Sequence, residues 1–215
     1  MMNFRKFIRW PSPLNVAVHL RRVEELLSDS NPVALLSDNE TRCAAEIPYI
    51  PQRNAFVAGR KLARKVLSVP LDCAPEAVPI LSESNGKPAS VGEGIQFNVS
   101  HCGDWCAVAW SAESAVGVDV ETIRPVPNMT AIVSNFFPPA AQRAFDSATP
   151  QNQAKVFFHW WTQIEAALKA SGRGLDDSFD CLDQVLHETC DAVPGVALAV
   201  AAEGRGPLTI TWHLP

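Results

Sequence analysis

The chain has 215 residues, 47% of them hydrophobic, with 18 basic and 23 acidic side chains spread along its length. That is long enough for one large domain or two compact halves and too apolar for a disordered chain. The net charge of -5 excludes a general electrostatic attraction to nucleic acid, so an anionic ligand must be met by a local basic patch. Six cysteines are few for a disulfide scaffold and none lies in a C-x-x-C pair, which predicts reduced packing thiols. At the N-terminus, Arg5, Lys6 and Arg9 are followed by Trp10, Pro11, Ser12 and Pro13 where a signal peptide needs an apolar stretch. No segment has the length of a membrane span, and a cytoplasmic location without membrane contact is expected.

Val16 to Leu20 predicts a first strand, with His19 on its surface, followed by a charged stretch from Arg21 to Leu27. Ser37-Asp38-Asn39-Glu40 opens a helix over Leu36 to Ile47, which Pro48 closes. A clearer helix covers Arg53 to Leu67. At 100° per residue Ala55, Phe56, Leu62, Ala63 and Val66 share one side, and Arg53, Arg60 and Arg64 share the other, flanked by Lys61 and Lys65. Two readings of that basic stripe stand: a solvated face, or a seat for a phosphate, since no acidic residue lies along the stretch. Asn85-Gly86-Lys87-Pro88 is a turn by composition, Ile95 to Trp110 reads as strands turning at Cys102-Gly103-Asp104, and Ala115 to Glu121 as a further strand. A long helix is predicted from Thr149-Pro150 to Gly172, and Val193 to Leu214 as strands joined at Gly204-Arg205-Gly206-Pro207. Alternating strands and helices make the class α/β or α+β.

Three acids stand out. In Gly117-Val118-Asp119-Val120-Glu121 the alternation puts Asp119 and Glu121 on one face of a strand. Two adjacent carboxylates repel, so they need either open solvent or a cation, and oxygen ligands with room for water suit Mg²⁺. On the long helix, Glu165 and Lys169 share a face at the edge of the apolar stripe of Phe157, Trp160, Trp161, Ile164 and Leu168. They are either a surface ion pair or a third acid for the site with its attendant cation.

Phe97-Asn98-Val99-Ser100-His101, Gly117-Val118-Asp119-Val120-Glu121 with Arg124, and Trp161 to Lys169 followed by Gly172-Arg173-Gly174-Leu175 together resemble the larger, surfactin-synthetase-type 4'-phosphopantetheinyl transferases. Phe56-Val57-Ala58-Gly59-Arg60 with Arg64, and Gly86-Lys87-Pro88, extend the resemblance over roughly Leu36 to Leu175. It implies two similar subdomains, 1–112 and 113–215, related by a pseudo-twofold axis, and a monomer with coenzyme A in the cleft between them. It also implies Mg²⁺-dependent transfer of phosphopantetheine from coenzyme A to a serine of an apo acyl or peptidyl carrier protein. By resemblance Asp119, Glu121 and Glu165 hold the metal, Ser100, His101 and Lys87 contact coenzyme A phosphates, and Lys169 lies beside the pyrophosphate. Glu165, Lys169 and His101 are the catalytic candidates, and Arg53, Arg60 and Arg64 are candidates for the 3'-phosphate seat. Two departures from the family pattern are Ile164, where a lysine is usual, and Pro138-Pro139-Ala140-Ala141-Gln142, where a glutamate usually starts a helix. They motivate an alternative: a catalytically weakened relative that binds coenzyme A or a carrier protein without efficient transfer.

Overall fold

The computed structural model describes residues 12–28, 31, 33–82, 88–89, 94–172 and 181–215. Its elements in chain order are β1 (Leu14–Arg22), α1 (Val23–Leu27), α2 (Asp38–Glu46), α3 (Ile50–Leu67), β2 (Leu81–Ser82), β3 (Pro88–Ala89), β4 (Gln96–Cys102), β5 (Trp105–Ser111) and β6 (Val116–Thr122). Then follow α4 (Met129–Phe136), α5 (Pro139–Asp146), α6 (Gln153–Ala170), α7 (Cys181–Gln184), β7 (Leu186–Cys190), β8 (Val196–Ala202) and β9 (Leu208–His213). The mixed α/β class expected from the sequence is the observed one.

Local chemistry explains several boundaries. Ser37 caps α2 in a full capping box, its hydroxyl accepting from the Glu40 amide while the Glu40 carboxylate accepts from the Ser37 amide. Helix α2 stops before Pro48 because a residue preceding proline is pushed out of the helical region. Helix α3 starts at Ile50, earlier than expected, with Pro51 in its first turn. Helix α6 starts at Gln153, behind Asn152, and not at Thr149-Pro150: residues 149–152 form a turn instead. It ends as expected, with Gly172 at φ 65° after the cap residue Ser171.

Two sheets pack face to face. The first has the order β4-β5-β1-β9 and the second β6-β8-β7. Val16, Val18 and Leu20 of β1 and Ala107 and Ala109 of β5 meet Val118 and Val120 of β6 and Leu198 and Val200 of β8 between them. Outside the first sheet lies α3, with Ala58, Leu62, Ala63 and Val66 against Phe97 and Val108. Outside the second lies α6, whose Phe157, Ile164 and Leu168 join Phe137 and Phe145 from the α4–α5 region. The near-complete burial of Phe145, Phe157 and Phe158 stabilises this layer by about 2–3 kcal/mol per ring. Strand β9 leaves the second half of the chain and pairs in parallel with β1, so the C-terminal strand completes the first sheet.

The basic stripe of α3 meets an acidic partner in this packing. Arg60 and Arg64 are only 5% and 3% exposed, and both reach Glu40 of α2, at 3.5 Å and 2.7 Å. Arg64 also donates to the carbonyl of Val78 at 2.6 Å. An acidic partner therefore exists, supplied from outside the stretch, and two of the three arginines tie α2 to α3. Lys61 is fully buried as well while Lys65 is exposed, so only part of the polar side of the helix is a solvated face. Arg53 remains partly open to solvent.

Among the described residues Cys43, Cys73, Cys102, Cys106 and Cys190 are free thiols, in line with packing cysteines. Burial pushes the Cys106 thiol up to about 12, which keeps it protonated and inert. No helix among the described residues is long and apolar enough to cross a membrane.

Candidate active site

The acids gather where the two sheets meet edge to edge. Strand β6 is the edge of the second sheet and β4 the edge of the first. With Val118 and Val120 turned into the core, Asp119 and Glu121 turn toward α6, as the alternation requires. Helix α6 can approach because Gly117 has no side chain: a Cβ there would stand 2.0 Å from the carbonyl oxygen of Ala166 and 2.5 Å from the amide of Ala170. This close approach brings Lys169 onto the strand.

Asp119 is 5% exposed. Its Oδ1 accepts from Lys169 Nζ at 2.6 Å and from Ser100 Oγ at 2.8 Å. Its Oδ2 is buried with no hydrogen-bond partner, a costly state for a carboxylate oxygen unless a cation or donor meets it. Burial raises the Asp119 pKa, and Lys169 and Ser100 pull it back only in part. Lys169 also donates to the Val118 carbonyl at 3.2 Å and to Ser100 Oγ at 3.3 Å. The pair of Glu165 and Lys169 is therefore no isolated surface pair, since Lys169 is spent on β6.

Glu121 Oε2 accepts from Arg124 at 3.1 Å and from the Cys102 thiol at 2.8 Å. Arg124 also lies 5.0 Å from the Phe158 ring, which braces it at the rim. Glu165 is half-buried; desolvation raises its pKa, Lys169 lowers it, and the negative charges of Asp119 and Glu121 raise it again. That mutual influence places the three acids in one electrostatic neighbourhood. Their carboxylates are not drawn into a single ligand set: among the described residues no group of three or more His, Cys, Asp or Glu is arranged to hold a metal ion. Three like charges repel, and Lys169 supplies the opposing charge at Asp119. The donor chemistry nevertheless fits a hard cation, being all oxygen with the buried Oδ2 of Asp119 unmatched.

Ser100 and His101 part company on the strand. Ser100 is buried in the Asp119 network, whereas His101 is exposed at the end of β4. Partial desolvation of the His101 ring lowers its pKa although much of the residue meets solvent, and Lys169 and Asp119 act on it in opposite senses. Neutral imidazole still donates one N–H. Lys87 and Arg173 to Leu175 lie outside the described residues. Ile164 is 3% exposed within the α6 core, and its side chain presents no charge to the site. Helix α5 forms after Pro138 without an acid in its first turn.

Sequence reasoning missed two side chains that hold the acid-bearing strand. Asn98 accepts from the Val118 amide at 3.1 Å, and Cys102 donates to Glu121. The signal was present in β4, where Asn98, Ser100 and Cys102 alternate with Phe97 and Val99, giving one polar face and one apolar face. His159 on α6 and His187 on β7 lie outside this site, beside Asp191 and Asp183 respectively.

Two family models match the chain. The model for the 4'-phosphopantetheinyl transferase superfamily matches residues 115–198, and that for the N-terminal part of 4'-phosphopantetheinyl transferases matches residues 30–113. The 4'-phosphopantetheinyl transferase HetI of Nostoc sp. is 32% identical over 180 residues, covering 77% of this chain and 75% of the relative. The 4'-phosphopantetheinyl transferase AcpT of Salmonella typhimurium is 35% identical over 156 residues, 72% of this chain and 73% of its own. AcpT of Escherichia coli K12 is 37% identical over 128 residues, 59% of this chain and 62% of its own. The matched segments carry both edge strands and α6, and the chain belongs to the 4'-phosphopantetheinyl transferase superfamily.

Proposed function

We propose that the chain transfers the 4'-phosphopantetheine group of coenzyme A, with Mg²⁺, to a serine hydroxyl of an apo acyl or peptidyl carrier protein. The observation that carries this reading is Asp119, nearly buried, with Oδ1 held by Lys169 and Ser100 and Oδ2 unmatched, beside Glu121 and Glu165. In the reaction the serine oxygen forms a bond to the β-phosphorus, the bond from that phosphorus to the bridging oxygen breaks, and 3',5'-adenosine diphosphate leaves. Asp119, Glu121 and Glu165 would hold Mg²⁺, and the bound ion would supply charge neutralisation at the pyrophosphate oxygens.

The protein's own groups do the rest. Lys169 carries its ammonium beside Asp119 and is within reach of the same pyrophosphate charge. Glu165, half-buried on α6, is the carboxylate that accepts the serine proton. His101, exposed at the end of β4, donates an N–H to a phosphate oxygen, and Ser100 orients Asp119 from below. Of the three arginines, Arg53 serves the 3'-phosphate, because Arg60 and Arg64 are committed to Glu40. Lys87 adds a second cation. The boundary between 1–112 and 113–215, the pseudo-twofold relation of the halves, a monomeric state and a cytoplasmic location belong to the same proposal.

The test is incubation with coenzyme A, Mg²⁺ and a panel of apo carrier proteins, read by intact mass. A phosphopantetheine gain on at least one carrier is expected, and Asp119→Ala abolishes it while the protein stays folded. Unchanged transfer by Asp119→Ala would refute the metal assignment. The second reading, a weakened relative, draws on Ile164, which offers no cation where the family has one. Coenzyme A binding without mass gain on any carrier selects it.

A further inference from the structure

Two edge strands of different sheets lie together at the site, and no backbone ladder joins them. Side chains take that role. Asn98 Oδ1 accepts from the Val118 amide at 3.1 Å, Ser100 Oγ accepts from the Val120 amide at 3.4 Å and donates to Asp119, and the Cys102 thiol donates to Glu121. The rungs climb both strands in step, so β4 and β6 run in the same direction and their relative position is set by this polar face. Two rungs, Ser100 and Cys102, end on acids of the site. The third, Asn98, is 3% exposed and touches neither Asp119 nor Glu121 in this ladder; it holds the backbone one residue before Asp119.

We propose that Asn98 is a positioning residue that sets the register of β6 against β4 and thereby the placement of Asp119; its catalytic consequence rests on the metal reading given above. The physical basis is that an edge-strand amide sealed from water must find an acceptor, and only one on a neighbouring edge can also fix distance. Removing the acceptor frees the Val118 amide and lets β6 shift along the seam. Residues that hold a metal ligand from behind change metal affinity by about 10–100-fold when lost.

Three variants test this: Asn98→Leu, which keeps the volume and loses the acceptor; Asn98→Asp, which keeps an acceptor; and Val99→Ala, on the opposite face of β4 against α3, as a control for plain destabilisation. Amide hydrogen exchange of the ligand-free protein, followed by NMR, reads Val118 directly. In Asn98→Leu the Val118 amide exchanges about tenfold faster or more. With coenzyme A present, the half-saturating Mg²⁺ concentration for transfer rises about tenfold while coenzyme A affinity without metal stays within about twofold. Asn98→Asp restores Val118 protection, and Val99→Ala leaves the Mg²⁺ constant in place even where it lowers Tm as much. If Asn98→Leu does not fold, Asn98→Asp decides: Val118 protected with the Mg²⁺ constant near wild type supports the proposal, and lost protection overturns it. A Val118 amide still protected in Asn98→Leu, or a Mg²⁺ constant that moves no further than in Val99→Ala, overturns it too. Wild-type protein that neither binds Mg²⁺ nor transfers, yet releases Val118 in Asn98→Leu, sinks the transfer reading and upholds the register role.

Discussion

Replacing Gly117 by alanine adds one carbon at the closest contact between β6 and α6. Gly117 does not adopt a positive φ, so its role is space alone. The added Cβ would stand 2.0 Å from Ala166 O, 2.5 Å from Ala170 N and 2.9 Å from Lys169 Cβ. Ordinary contact begins near 3.4 Å, so the helix must retreat by about 1.4 Å, because backbone atoms cannot rotate out of the way. Overpacking of this kind costs about 3 kcal/mol, the upper part of its usual span. The opposing gain from a stiffer unfolded chain is about 0.4–1 kcal/mol, so destabilisation wins. For a chain of this size that loss lowers Tm by about 6–12 °C. The retreat also pulls Lys169 and Glu165 from Asp119, and a misplacement of about 1 Å costs about 100-fold in rate. Scanning calorimetry and transfer kinetics at 20 °C below the variant's Tm, roughly, read both effects. A Tm within about 2 °C of wild type together with kcat within about threefold would refute the close-approach reasoning.

Glu40→Ala removes the carboxylate that holds Arg64 at 2.7 Å in a buried setting, and urea melts should show a loss of about 3 kcal/mol or more; a loss under about 1 kcal/mol would mean the pair is merely tolerated. His19 stacks on His213 with ring centres 4.1 Å apart, and burial, with His213 and Arg21 beside it, lowers its pKa to about 4. The folded protein thus binds fewer protons than the unfolded chain between about 4 and 6.5, so stability is fully present above 6.5, falls as pH drops through that window and is lost below 4. His19→Gln should flatten the stability profile there, and an unchanged slope counts against it. Ile164→Lys places an ammonium in the α6 core and is expected to lower Tm without speeding transfer; a faster enzyme of unchanged Tm would show that the lysine reaches the site.

Much of the fold was legible where the deciding interactions are short in sequence. The α2 start was readable because Ser37 and Glu40 satisfy each other within one turn. The facing of Asp119 and Glu121 and the apolar stripe of α6 follow from strand and helix periods alone. Thr149-Pro150 misled because a capping residue followed by proline suits a turn as well as a helix start. Helices α4 and α5 escaped notice for a related reason: short segments flanked by prolines carry little period.

The amino-acid sequence by itself determined which residues share a face, where α2, α3 and α6 stop and, through its ordered motifs, which superfamily the chain belongs to. Tertiary structure decided what each charge meets. Glu40 lies 24 positions from Arg64 and Lys169 lies 50 from Asp119, so no local pattern reveals that the first pair is a buried tie and the second the heart of the site. Likewise, Ala166 lies far from Gly117 in the chain, and only the packed fold brings its carbonyl oxygen against that glycine and the acids into one seam. Periodicity is a property of the backbone and can be read along it; partnership across a core depends on how the layers stack, and there the physics is three-dimensional.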